Sequence, residues 1–199
     1  MAAAAPVELG PGVLDALFAH YQELCRWAPK VDLIGPGAVD ELIERHYAES
    51  LAALPWLPPT PFRLADIGSG AGFPGIVLAA ARPDAESWLI EPRERRAAFL
   101  SAAVRKARLG AHIVAARVDS SSTAALPNGI HVATSRAVRL DRSLLRTLAE
   151  HLAPGASVLT WSGREAPVFP PGFEPGRALL LPGSRERVLR ELRWTGAAP

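Results

Sequence analysis

A chain of 199 residues, 49% apolar and 21% charged, is long enough to bury one good core with a small accessory unit, which excludes a second large domain. The 22 basic side chains exceed the 20 acidic ones by so little that the formal charge is +2, a mild basicity that permits a polyanionic partner without demanding one. Cys25 is the only cysteine, which rules out an internal disulfide or a thiolate metal cluster and suits a reducing cytosol; it is expected to pack as a small apolar side chain.

The N-terminal stretch MAAAAPVELG has neither the positive charges nor the apolar run of a signal peptide, and no segment is long enough to span a bilayer, so a soluble cytoplasmic protein is expected. Leu14, Leu17, Phe18, Tyr21, Leu24 and Cys25 recur at three- and four-residue spacing, which predicts an amphipathic helix ended by Pro29. Val39, Leu42, Ile43, Tyr47, Leu51 and Leu54 predict a second helix, and LPWLPPTP stops it near residues 55 to 62. Residues 1–60 therefore read as a small helical cap and residues 61–199 as the core.

In the core, short apolar strands alternate with helices: RLADI, a helix from about Pro74, SWLIE, a helix from about Arg93, HIVAA, IHVAT, the helix of Leu140 to His151 with its end signalled by Pro154 and Gly155, and ASVLTW. Such alternation predicts βαβ units and a doubly wound α/β fold with a mostly parallel sheet. A Pro- and Gly-rich stretch from Pro167 to Gly176 precedes ALLL and the alternating ERVLRELRW, which predicts a terminal antiparallel hairpin.

In LADIGSGAGFPGIVLAA, Gly68, Gly70, Gly72 and Gly75 fall where a strand hands over to a helix, with Pro74 suited to an early helical position. Glycines at such a junction let the backbone turn tightly and approach a cofactor. Glu91, at the end of the next strand, is placed to accept hydrogen bonds from both hydroxyls of a ribose. Two cofactor classes fit these residues. GAGFPG matches the dinucleotide pattern, with its acid about 20 residues on. An acid followed by spaced glycines, here Asp66, Gly68, Gly70 and Gly72, suits S-adenosylmethionine, which has no pyrophosphate to seat. The bland alternative is that the glycines merely let helix and strand approach each other.

Taken together, YQELCRWAPKVDLIG and ERHYAESLAALP in the cap, DIGSGAGFPGI and EPRERRAAFL in the core, ARVDS after the third strand and TSRAV after the fourth resemble a bacterial family. It is that of the guanine-N7 methyltransferases of small-subunit (16S) ribosomal RNA, also called glucose-inhibited division protein B. The resemblance implies a class I, Rossmann-like methyltransferase fold with a seven-stranded sheet and S-adenosylmethionine as methyl donor. It further implies methyl transfer to N7 of one guanine, with ribosomal RNA or the small ribosomal subunit as partner. By the same resemblance Gly68 and Phe73 line the cofactor, Val118 and Asp119 meet its adenine, and Arg136 stands where cofactor and RNA sites join; Gly70 belongs to the loop, and the ribose role of Glu91 is that of the wider fold. Three positions depart from the family pattern. Asp32 and Ile34 replace an Asn and a Thr, and Ser162 replaces a lysine before Gly163, with Arg164 offering a cation two residues on.

Guanine N7 presents a lone pair in the base plane, so no proton has to leave before it attacks a sulfonium methyl, and alignment together with electrostatics is expected to supply the rate. No catalytic acid or base is assigned, and Arg136 is the candidate for positioning substrate or cofactor. No metal is expected, because the five histidines form no ligand spacing and read as structural or surface residues. His46 is expected to order the cap against the core. Arg93, Arg95, Arg96, Arg105, Lys106, Arg108 and Arg117, against Glu94 alone, form the densest positive stretch, either a backbone-tracking RNA patch or a solvated helix face. The rival functions are a small-molecule methyltransferase, an NAD-dependent oxidoreductase and a catalytically silent cofactor-binding protein that contacts RNA. A monomer is expected.

Overall fold

The computed structural model describes residues 8–35, 41–119, 126–136, 138, 140–164 and 169–196. Its strands are β1 (Arg63–Ile67), β2 (Glu86–Ile90), β3 (Ala111–Val114), β4 (Ile130–Ser135), β5 (Leu152–Ser162), β6 (Phe173–Leu180) and β7 (Val188–Trp194), joined in the order β3-β2-β1-β4-β5-β7-β6. Strands β1 to β5 pair in parallel; β7 inserts antiparallel between β5 and β6. The expected mostly parallel, seven-stranded sheet with a C-terminal hairpin is what forms. Strand order reverses between β1 and β4, and the carboxyl ends of those strands open the crevice in which doubly wound folds bind ligands.

Alternation along β1 divides the molecule into two layers. Ala65 and Ile67 face Leu144, Leu145 and Leu148 of α5 (Arg142–Ala149) on one side of the sheet. Leu64 meets Leu78 of α3 (Gly75–Ala81) on the other side. The α3 side is also covered by α1 (Pro11–Trp27) and α4 (Glu94–Lys106). Leu17, Leu24, Leu42, Phe73, Ile76, Phe99 and Leu100 share a single apolar cluster there, so residues of the N-terminal segment and of the core bury one another.

The helices start for legible reasons. Pro11 opens α1, where its missing N–H costs nothing. Asp141 caps α5 by accepting the Leu144 N–H at 2.9 Å. Leu42–Ala48 is a wide, π-type turn rather than a regular helix; it continues into the single α turn α2 (Glu49–Leu51) and a tight turn at Leu54–Trp56.

Several expectations from periodicity are corrected. The buried face of α1 is Ala16, Leu17, His20, Glu23 and Leu24, while Leu14 and Phe18 are 59% and 60% exposed and Cys25 lies at the surface instead of packing inside. Glu23 belongs inside because its carboxylate takes Trp27 Nε1 at 3.1 Å and Lys106 Nζ at 3.3 Å, an ionic tie from α1 to α4 that apolar spacing does not reveal. Ile43 is 70% exposed, and Val39 lies outside the described residues. Pro154 and Gly155 do not end α5; they fall within β5, where the register with β4 shifts between Ile130 and Val132.

Gly75 lets α3 lie directly on the sheet, because a Cβ there would stand 2.3 Å from Leu89 Cδ2 and 2.5 Å from Asp66 Oδ2. Gly75→Ala is expected to lower stability by about 1–3 kcal/mol, the usual cost of overpacking a rigid site. Denaturant melts read it directly, and a variant as stable as the parent would show that α3 can lift without cost.

Candidate active site

The loop that follows β1 is held from below by a buried carboxylate. Asp66 is fully buried; its Oδ1 accepts the Thr134 hydroxyl at 2.7 Å and its Oδ2 accepts the Gly75 N–H at 3.1 Å. Burial pushes this carboxyl up to about 6, against the opposing pull of those donors. One side chain thereby links β1, β4 and the start of α3. The backbone then swings toward β2, with the N–H groups of Gly68 and Ser69 both donating to the Ile90 carbonyl, at 2.8 and 3.0 Å. At Gly70, with φ +53°, the chain adopts a left-handed conformation that an L side chain rarely takes, and an added Cβ would lie 3.8 Å from Arg96 Nη1 and from the Gly68 carbonyl. Glu91, 3% exposed at the end of β2, accepts the Gly70 N–H at 3.0 Å and the Arg93 N–H at 2.9 Å.

Above this loop lies a cavity of about 460 Å³, within the range of small-ligand sites. Gly68, Gly70 and Phe73 form its floor, His46 and Glu49 come from the N-terminal segment, and Arg136 follows β4. Arg45, Arg96 and Arg187 complete a basic rim. Glu49, 2% exposed, organises that rim: Arg136 Nη2 meets its Oε2 at 2.8 Å and Arg187 Nε meets its Oε1 at 2.7 Å. Arg136 also donates to the carbonyls of Arg45 and His46, and Trp161 Nε1 donates to the Glu49 carbonyl at 2.9 Å. The His46 ring lies 5.0 Å from the Phe73 ring. Burial first, then the charges of Arg136, Arg45 and Arg187, push His46 down to about 4, so it stands neutral in a ring of cations.

Of the residues singled out in the sequence, the structure brings Gly68, Gly70, Phe73 and Arg136 together around this cavity. Glu91 is engaged with the loop amides behind the lining, and Val118 and Asp119 are half-buried outside it, Val118 packed among the apolar residues on the α5 side. Along the basic stretch, Arg93, Arg95, Arg105, Lys106 and Arg108 are exposed, whereas Arg96 turns into the site and pairs with Asp32 at 3.1 Å. Arg164 points to the Arg185 carbonyl at 2.7 Å, and it is Arg190 that reaches Ser162, at 3.3 Å from its Oγ. Sequence reasoning missed Glu49, Trp161, Arg187 and Thr134, whose partners lie 68 to 138 residues away. Among the described residues no group of three or more His, Cys, Asp or Glu is placed to hold a metal ion. No helix among them is long and apolar enough to cross a membrane.

This sheet order, with a glycine loop after β1 and an acid at the end of β2, defines a class I methyltransferase fold. Solved structures share it: a putative methyltransferase, yhhF, from Escherichia coli (TM-score 0.59, 19% identity, 74% of this chain and 85% of that one) and a SAM-dependent methyltransferase from Aquifex aeolicus (TM-score 0.59, 16% identity, 81% and 99%). The family model for GidB, rRNA small subunit methyltransferase G, matches residues 14–167. The chain belongs to that family, as its motifs led one to expect. Two relatives named ribosomal RNA small subunit methyltransferase G are 40% identical over 134 residues (Desulfotalea psychrophila) and 46% identical over 131 residues (Acidothermus cellulolyticus). Each alignment covers 66% of this chain but 61% and 57% of the relative, so the chain spans about three fifths of those proteins' length.

Two outcomes follow from the buried groups. Burial also lowers His20 of α1 to about 4, so between pH 6.5 and 4 the unfolded chain binds protons on His20 and His46 that the folded chain refuses, and stability falls as the solution is acidified. Between about pH 6 and 4 Asp66 works the other way, taking up its proton in the folded state first, and offsets part of that loss. The His20 contribution alone is roughly 3 kcal/mol by pH 4. Thermal midpoints that hold or rise from pH 7 to 5 would show that one of these imidazoles is charged in the fold. Glu49→Gln should cost about 3 kcal/mol in urea melts, because Arg136 and Arg187 lose their shared counter-charge in a largely desolvated place.

Proposed function

We propose that the chain transfers a methyl group from S-adenosylmethionine to N7 of a guanine in small-subunit ribosomal RNA, in the cytoplasm, with residues 1–60 roofing the site built by residues 61–199. The observation that carries the reading is the cavity itself: a floor of loop backbone at the switch point of the sheet, under a rim of arginines each tied to a carboxylate. The residues present fit a sulfonium nucleoside. Gly70 lines the cavity without a side chain, Glu91 stands at the end of β2 where the ribose hydroxyls of such ligands are received, and Val118 and Asp119 would border the adenine.

A dinucleotide suits the site less well. Its pyrophosphate needs the free N–H groups of the helix that follows β1. Here the Gly75 N–H is taken by the Asp66 carboxylate and the Ile76 N–H by the Gly72 carbonyl, so a buried acid already sits where phosphate charge would go.

S-adenosylmethionine, when bound, supplies an electrophilic sulfonium methyl. Guanine N7 offers its lone pair in the base plane, so no side chain of this chain would have to remove a proton. The work left to the protein is alignment. Gly68, Gly70 and Phe73 fix the floor on which the methyl donor lies. Arg136 is gripped by the Arg45 and His46 carbonyls and by Glu49, which holds its guanidinium at the junction of floor and rim. His46, neutral, adds no positive charge beside a base that is itself becoming cationic.

The decisive assay offers labelled methyl donor with intact small ribosomal subunits, naked small-subunit RNA and a metabolite extract. Label in RNA at a guanine is the expected result; label only in small molecules, or none in any arm, rejects the assignment. In parallel, adenosylhomocysteine should raise the melting temperature while NAD should not, since only a ligand of the native state stabilises it. Gly70→Val sets a branched side chain into the open face of the loop at a positive φ, and its adenosylhomocysteine affinity is expected to drop by about tenfold or more.

A further inference from the structure

His20 lies at the centre of the contact between α1 and the glycine loop, and it is completely buried. Its Nε2 stands 2.9 Å from the Ala71 carbonyl, which can only accept, so Nε2 carries the proton. Nδ1 then presents a lone pair, and the Tyr47 hydroxyl donates to it at 2.7 Å. The phenol stays protonated because burial pushes it up, just as burial keeps the imidazole neutral by pushing it down to about 4. Phe73 packs edge-on against both rings, 5.2 Å from His20 and 4.9 Å from Tyr47. The imidazole sits so close to the loop backbone that a Cβ at Gly72 would come within 3.1 Å of Nε2. On the opposite side, Ala71 and Phe73 are part of the cavity lining, and His20 is not.

We infer that His20 and Tyr47 form a positioning device for the cofactor loop: the Tyr47 hydroxyl fixes the tautomer of His20, His20 turns the Ala71 carbonyl inward, and the loop thereby presents Ala71 and Phe73 to the methyl donor. The inference rests on the methyltransferase reading above. An apolar side chain at residue 20 would fill the same volume and still support Phe73. It would leave the Ala71 carbonyl buried and unpaired, and the loop would relieve that by turning its peptide toward the cavity. The effect belongs to cofactor binding. Arg136 and Arg187 at the rim are held by Glu49, and Arg136 also by the Arg45 and His46 carbonyls, a network without a hydrogen bond to His20.

The test is calorimetry of the full-length chain with adenosylhomocysteine, beside salt-dependent binding of small-subunit RNA, for the parent, His20→Leu, His20→Gln and Tyr47→Phe. His20→Leu should weaken adenosylhomocysteine by about tenfold or more, with RNA affinity changed by no more than about twofold. The Gln side chain can still donate to Ala71, so His20→Gln should recover most of the loss, and Tyr47→Phe should fall between Leu and Gln. Equal cofactor affinity in His20→Leu and the parent overturns the inference, as does a Gln variant no better than Leu. Where His20→Leu does not fold, Tyr47→Phe decides: affinity equal to the parent overturns the proposal, and a loss that exceeds that of His20→Gln supports it. Nitrogen-15 spectra of the parent should show His20 as the Nε2–H tautomer down to pH 5; an Nδ1–H tautomer, or titration near 6.5, rejects the geometry. A parent that binds no adenosylhomocysteine removes the methyltransferase reading itself, whereas a binding parent with indifferent variants removes only this device.

Discussion

The carboxylate of Asp66 is the fixed point of the site. It is the only side chain among the described residues that joins β1, α3 and β4 by hydrogen bonds in one place, and it does so without any exposure to solvent. An unpaired buried acid would cost several kcal/mol, so its position is tolerated only because Thr134 and Gly75 donate to it. Those donors in turn dictate local sequence. A hydroxyl must stand on β4 opposite Asp66, in the register that pairs Asp66 with Thr134, and the first helical residue must be a glycine for α3 to come close enough. Once the end of β1 and the start of α3 are clamped, the intervening loop has few ways to run. Its carboxyl-edge position at the strand-order reversal then follows from the topology and not from any property of the ligand.

The loop is gripped from two further sides, which accounts for how much of this region was legible in the sequence. The glycines, Pro74 and Glu91 announced a strand-to-helix junction with an acid beside it, because backbone conformation and strand ends leave local signatures. The hydrogen bond from Gly70 to Glu91 agrees with that reading, although it turns the acid toward the loop as well as toward a ligand. The grip from α1 left no such signature. His20 and Glu23 occupy the buried face of an amphipathic helix at positions where apolar periodicity expects a Leu or a Val, and Leu14 and Phe18 occupy the solvent face. Periodicity weighs apolar side chains alone, so it found Leu17 and Leu24 but added Leu14, Phe18 and Cys25 in place of His20 and Glu23. A buried polar residue is recognisable only once its partner is known, and Tyr47 is 27 residues away in a second segment. Long-range charge pairs were hidden for the same reason: Glu49 with Arg136 and Arg187 spans 87 and 138 residues.

The rim shows how a nearly neutral chain presents a locally basic surface. Arg45, Arg96, Arg136 and Arg187 converge on one cavity, and each is tied down: Arg45 to Glu41, Arg96 to Asp32, the other two to Glu49. Immobilised guanidiniums lose less entropy when a phosphate arrives than free ones would, which favours a defined docking geometry over non-specific attraction. The same ties reduce the net positive field. A chain of charge +2 that brings four arginines to one cavity relies on placement more than on total charge.

These ties also decide what kind of object the N-terminal segment is. A lid that swings away to admit substrate must open at low cost, which requires few buried contacts along its seam. The seam here contains Leu24, Leu42, Tyr47 and Phe73 in one apolar cluster, the His20 bond to Ala71, the Glu23 pair with Lys106 and the Arg136 contacts with Glu49. Opening it would part His20 from the Ala71 carbonyl, take Arg136 and Arg187 from the buried Glu49 and wet the apolar cluster around Phe73. The segment is therefore a wall of the pocket, contributing Arg45, His46 and Glu49 to its lining.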